Sequence, residues 1–361
     1  MVCLRYESEP TFTSSYHFSG ALLLEQLVAC SHHIMAVALY PISGTLVGCI
    51  GCMYFVESIA KEQPSSMNLM TFSTFLFISL EGLIFTSKFF AVPNKIPIRG
   101  YLPTVITFFC VNIINNQALN FHVPVPLHII FRSGSLLASL IFTKILQGKQ
   151  YSLRKYLAVL SITVGIIICT TATAHLEKID GKETVDSVEK HYQEWLVGLT
   201  MLTIALLASA YLGICQETMY KTYGKHTEEA VFVIHSASLP FFAFMGGDIY
   251  KSAVQFSHSY PMNIFGFHVP HMWAYLAATC VLQWMCISFI YRLNATFESL
   301  TVTMVVTIRK FLSLLISIVW FRNPFTLAHW VGAALVFTGT LAFADIWTNH
   351  TRTAEENKRK Y

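Results

Sequence analysis

The sequence predicts an all-α polytopic membrane protein of ten transmembrane helices arranged as an inverted five-plus-five repeat. Three observations carry that expectation. Hydrophobic residues make up 54% of the 361 and charged residues only 12%, about half the charged share of an ordinary globular chain. The apolar residues gather in runs near the ~20 that a helix needs to cross a hydrocarbon core. Two of these runs, half a chain apart, can be laid over each other with an Arg in register.

Taken in order, residues 1–33 form an N-terminal extension. Its stretch Ala21 to Cys30 is apolar but short and interrupted by Glu25, so it reads as an interfacial segment. It is a poor signal peptide, because no basic region precedes it and Arg5 is followed by Glu7 and Glu9. Ten candidate spans follow at 34–57, 67–87, 101–120, 124–146, 155–174, 195–216, 230–247, 271–291, 299–321 and 327–347. Pro64, Pro93, Pro97, Pro270 and Pro324 lie at or near their ends, where the missing N–H stops a helix. The division gives a first five-helix repeat at 34–174, a loop at 175–194, a second repeat at 195–347 and a basic tail at 348–361.

An even number of spans puts both termini on one side. Most loop cations, among them Lys95, Arg99, Arg154 and Lys155, then share that side, which makes it cytosolic. The acidic 175–194 loop falls in the lumen, and the sequons at Asn294 and Asn349 face the cytosol and stay unmodified. The net charge of +4 is spread between apolar runs and gives no nucleic-acid surface. Most of the nine Cys lie in or beside apolar runs, where they are expected to act as small packing residues. Cys49-x-x-Cys52 lacks the soluble setting that a redox motif needs. No metal site, cofactor or enzyme motif is found.

The repeat lays FRSGSLLASLIF (131–142) over TIRKFLSLLISIVWF (307–321), with Arg132 on Arg309. Beyond the turn, Tyr151-Ser152-Leu153 falls on Phe325-Thr326-Leu327, Tyr156 on Trp330 and Gly165 on Gly339. The offset is 177 residues before the turn and 174 after it. Five spans separate the copies, so the copies run in opposite senses through the bilayer. Such inverted repeats build transporters, with the substrate site near the midplane between the halves.

Charges within the hydrocarbon region are expensive and functional. Four lie well inside spans: Glu81, Arg132, Arg309 and Lys310, summing to +2. Arg grips phosphate oxygens with a planar fork and Lys acts as a point charge. The same Glu81 also reads as a structural partner for one Arg. Arg309 and Lys310 point about 100° apart, so they are not expected at the centre of one narrow site. Lys310 shares a face with Thr303 and Thr307; Arg132 shares one with Ser135 and Ser139. The third span holds Asn112, Asn115, Asn116, Gln117 and Asn120, amides that must face protein or water. They could read a base or sugar hydroxyls, or tie helices together.

From about residue 34 to 347 the chain resembles the nucleotide-sugar transporters of solute carrier family 35. Within that family it is most similar to the UDP-xylose and UDP-N-acetylglucosamine subfamily. The carrying motifs are PLHIIFRSGSL (126–136), GICQETMYKTYGKHTEEA (213–230), ESLTVTMVVTIRKF (298–311) and RNPFTLAHW (322–330), with weaker support from NNQALNF (115–121). The resemblance implies a drug/metabolite-transporter fold and exchange of UDP-N-acetylglucosamine and/or UDP-xylose for UMP into the ER or Golgi lumen. It also implies substrate contacts at Arg132, Arg309 and Lys310, and leaves a homo-oligomer open. The competing cargo is the sulfate donor 3′-phosphoadenosine 5′-phosphosulfate, which calls for more positive charge than +2. A non-transporting receptor or scaffold is the alternative from another class. The tail Lys358-Arg359-Lys360-Tyr361 resembles a dilysine retrieval signal with Arg in place of one Lys, pointing to early secretory membranes.

Overall fold

Backbone polar groups in lipid must find partners within their own segment, and a helix does this for every residue. The computed structural model, which describes residues 20–121, 123–148, 151–180, 185–264, 266–297 and 299–343, is accordingly almost all helix. In chain order the helices are α1 (Gly20–Glu62), α2 (Met67–Phe85), α3 (Ile98–Leu119), α4 (Val125–Phe131), α5 (Ser135–Gln147), α6 (Leu153–Asp180) and α7 (Val185–Tyr223). They continue with α8 (Thr227–Ser238), α9 (Gly246–Ser257), α10 (His271–Thr296), α11 (Ser299–Val319) and α12 (Leu327–Phe343). Eight stretches of the described residues are long and apolar enough to cross a membrane. The helices α11 and α12 stand at the places of the ninth and tenth expected spans.

Four features differ from the sequence expectation. The helix α1 runs unbroken from Gly20, so the stretch expected to lie at the interface is its first turns. Ala, Leu, Glu and Gln dominate that stretch and all favour helix. The 175–194 loop is shortened, with α6 reaching Asp180 and α7 starting at Val185. The fourth span is broken: a 3-10 turn over Arg132–Gly134 separates α4 from α5, where Ser133 and Gly134 weaken the helix. The seventh span breaks similarly at Leu239–Met245, where Pro240 removes a donor. A short hairpin, β1 (Pro261–Ile264) with β2 (Phe267–Pro270), precedes α10, and Gly266 takes φ 89° between them.

The helices pack in a pattern that repeats when each span is advanced by five. The first span lies along the eighth as the sixth lies along the third, and the second meets the seventh. The fifth and tenth, α6 and α12, cross through glycines. A Cβ on Gly165 would lie 2.5 Å from the Gly332 carbonyl, and one on Gly339 would lie 2.8 Å from the Ala158 carbonyl. Ser161 donates to the carbonyl of Leu335, 174 residues on, at 3.0 Å. The offset of the sequence repeat converts Ala158, Ser161 and Gly165 into Gly332, Leu335 and Gly339, so each contact maps onto its partner or itself. That reciprocity is the mark of a two-fold relation.

The same close approach overturns one expectation. On α1, a Cβ at Gly48 would sit 3.0 Å from the Cys286 backbone nitrogen. The two helices come near enough for a Cys49–Cys286 disulfide, Cα to Cα 4.6 Å, bridging 237 residues. These two cysteines are therefore joined and are not mere packing thiols.

At the C-terminal ends of α1 and α11 a polar clasp closes the bundle. Glu57 is only 3% exposed. Its Oε1 accepts from Ser317 Oγ at 2.7 Å and from Asn323 Nδ2 at 2.6 Å. Arg322 adopts φ 51°, turning the chain so that Asn323 reaches back. Lys61 Nζ donates to the Phe321 carbonyl at 2.7 Å beside it.

Candidate functional site

The break between α4 and α5 borders a cavity within the bundle. Arg132 sits at that break, and its exposed side chain faces a cavity of about 370 Å³. From α11 come Arg309, Lys310 and Ser313; Ser135 contributes from α5, Asn115 from α3, Ser209 from α7 and Gln283 from α10. Both Arg309 and Lys310 thus reach one cavity in spite of their angular separation, because it is broad and both side chains are long. Arg309 Nη1 points at Cys286 Sγ, 3.8 Å away, while its Nε is buried with no protein partner.

A second chamber of about 200 Å³ adjoins the first and shares Met53, Asn115, Arg132 and Gln283 with it as walls. Its own lining is richer in neutral polar groups: Thr71, Thr74, Asn112, Asn116, His128 and Thr279. Asn116 Nδ2 donates to Thr71 Oγ1 at 2.8 Å and to the Met67 carbonyl at 3.3 Å, tying α3 to α2. Among the described residues no Asp or Glu lines either chamber. The larger chamber therefore carries three uncompensated cations and the smaller one an amide and hydroxyl lining. Such a pair of spaces suits a ligand with an anionic part joined to a neutral, hydrogen-bonding part.

Glu81 does not belong to this site. It lies in a separate cavity with Thr227, Glu228, Tyr291 and Arg292, at the end of α2. The charge at the site is +3 and not the +2 expected with Glu81 included. Asn120 is also elsewhere, its Nδ2 bonded to Gln117 Oε1 at 3.0 Å just past the end of α3. Thr307 is buried and is not on the cavity wall. Thr303 lies on α11, with its side chain outside the described residues. Sequence reasoning passed over Gln283, His128 and Ser313. Ser313 was legible as the residue one turn beyond Arg309; the other two are single polar residues in apolar runs.

The sequence profile described as the UAA transporter family matches residues 37–347. A Danio rerio protein named UDP-xylose and UDP-N-acetylglucosamine transporter is 44% identical over 310 residues, covering 85% of this chain and 94% of the relative. A Drosophila melanogaster protein named endoplasmic reticulum GDP-fucose transporter is 46% identical over 324 residues, covering 86% and 92%. The Homo sapiens nucleotide sugar transporter SLC35B4 is 43% identical over 314 residues, covering 86% and 95%.

Proposed function

The chain belongs to the UAA transporter family, and we propose that it exchanges UDP-N-acetylglucosamine or UDP-xylose for UMP across an ER or Golgi membrane. Membership makes it a multi-pass membrane transporter and not an enzyme. The observation that carries the cargo reading is the meeting of Arg132, Arg309 and Lys310 in one cavity with no carboxylate among the described residues of its wall.

A UDP-sugar brings two ionised phosphates, and UMP carries about −1.5 to −2 at neutral pH. Either ligand answers most of the +3 charge of the cavity. The exchange follows from the empty state. Closing the bundle over three unpaired cations strips them of water without a counter-charge, which is costly. Closing around a dianion is not. A ligand moves an alternating equilibrium only through differential affinity for the two states, and this neutralisation supplies it. The pseudo-two-fold packing supports alternating access by rocking of one repeat against the other. Cytosolic termini, from the distribution of loop cations, set entry of UDP-sugar on the cytosolic side.

A second reading is favoured by the 46% identity to the relative named for GDP-fucose. GDP-fucose shares the pyrophosphate and differs at the base and the sugar, so the cationic chamber suits both. The third cation also answers part of the charge that the sulfate donor would require. The experiment is uptake by reconstituted liposomes offered labelled UDP-N-acetylglucosamine, UDP-xylose, GDP-fucose and the sulfate donor in parallel. The proposal expects the two UDP-sugars to enter fastest. Exclusive uptake of GDP-fucose or of the sulfate donor would replace it.

A further inference from the structure

Beyond the phosphate site, and resting on the cargo reading above, we propose that the smaller chamber holds the sugar, with His128 Nε2 accepting a hydrogen bond from a sugar O–H or N–H. His128 is on α4, one turn before Arg132, and is only 8% exposed. The backbone of Asn115 lies beside its ring. Its Nε2 is buried with no protein partner, and the residue lines the smaller chamber. With the proton of the neutral ring on Nδ1, Nε2 offers a lone pair. A buried polar atom without a partner costs free energy that a ligand donor would recover.

Part of the wall shares this one-sidedness, while Thr71, whose Oγ1 accepts from Asn116, keeps its hydroxyl hydrogen and Asn112 keeps one amide hydrogen. Thr74 Oγ1 donates to the Met70 carbonyl at 2.9 Å, and Thr279 Oγ1 to the Tyr275 carbonyl at 2.9 Å. Asn116 spends its amide hydrogens on Met67 and Thr71. What Thr74, Thr279, Asn116 and His128 turn toward a guest is therefore acceptor capacity. Gln283, at the neck, has its Oε1 engaged by Cys52 at 3.1 Å, which leaves its amide hydrogens as a donor there. A sugar ring presents O–H donors around its whole rim, and an N-acetyl group adds an N–H. The neck runs past Arg132, so a sugar in the small chamber has its phosphates beside the cations.

The test is His128→Asn. The Asn side chain stays polar at the same position, and the Nε2 acceptor is lost. Liposomes loaded with UMP would report the half-saturating concentration of UDP-N-acetylglucosamine and, by competition, the inhibition constant of UMP. One lost hydrogen bond predicts about a tenfold rise for the UDP-sugar, with the UMP constant unchanged within about twofold. A parallel rise for UMP would overturn the proposal, because UMP has no sugar beyond its phosphate. No change for either ligand would overturn it equally. A variant that shows no UMP-induced thermal stabilisation is misfolded, and Thr279→Val, on the facing α10 wall, then decides on the same criteria. Wild-type liposomes that take up no UDP-sugar would overturn the cargo reading instead, whatever the variants show.

Discussion

Replacing Arg132 with Gln removes a cation that faces the cavity and keeps a side chain of similar reach. Among the described residues no Asp or Glu lines the wall, so the change leaves no carboxylate of theirs stranded in the unliganded protein. It removes repulsion from Arg309 and Lys310 across the same space. Unliganded stability should therefore hold steady or rise. A broken buried ion pair would behave in the opposite way and cost about 3–5 kcal/mol. Binding should fall, because a hydrogen bond to a charged phosphate contributes about 1.5–3 kcal/mol. At about 1.4 kcal/mol per factor of ten, affinity drops roughly ten- to hundredfold. UDP-sugar and UMP should lose equally, since both place phosphate at the same group. Thermal unfolding of purified protein with and without UMP, paired with competitive uptake in liposomes, reads both effects. The reasoning is refuted if UDP-sugar binding falls while UMP binding is untouched, or if the unliganded protein loses stability as a broken ion pair would.

Gly332→Ala places a Cβ 2.5 Å from Cys169 Sγ and 2.7 Å from the Gly165 carbonyl. Its unfolding temperature should fall, by an amount equivalent to about 1–3 kcal/mol of overpacking, while Gly213→Ala, which meets nothing within 4 Å, leaves it level or higher. Glu57→Ala strips the acceptor from Ser317, while Asn323 keeps the Ser317 carbonyl and Oγ as acceptors, so the change should destabilise by about 1–3 kcal/mol for the one donor orphaned. Glu57→Gln, which retains Oε1, should lose distinctly less; equal losses in a melting experiment would show that the charge and not the acceptor holds the clasp.

Most of the fold was legible because membrane length and repeat offset are properties of the sequence itself. The 174-residue offset that aligned Gly165 with Gly339 reappears as the spacing of the Ser161–Leu335 hydrogen bond. The cationic trio was legible too, since Arg and Lys in an apolar run have few structural excuses. What could not be read was direction around the helix bundle. Glu81 has the right depth but sits at the end of α2 against α8 and α10, far from the trio in the packing. Glu57 escaped notice because it lies at the edge of its apolar run, where a carboxylate ordinarily meets water. His128 and Gln283 each look like a satisfied core residue until the wall they occupy is known. The Cys49–Cys286 bridge depends on how closely Gly48 lets α1 approach α10, and pattern alone does not set that distance.

The central claim is that an anion must occupy the cation-lined cavity before the transporter can change face. Counterflow tests it most directly: labelled UDP-N-acetylglucosamine is offered to liposomes loaded with UMP and to otherwise identical empty liposomes. Exchange predicts fast uptake into the loaded vesicles and little into the empty ones. Arg132→Gln should slow uptake into the loaded vesicles. Equal rates in loaded and empty vesicles would contradict the account, because they would show the empty cavity closing and reorienting as readily as the filled one.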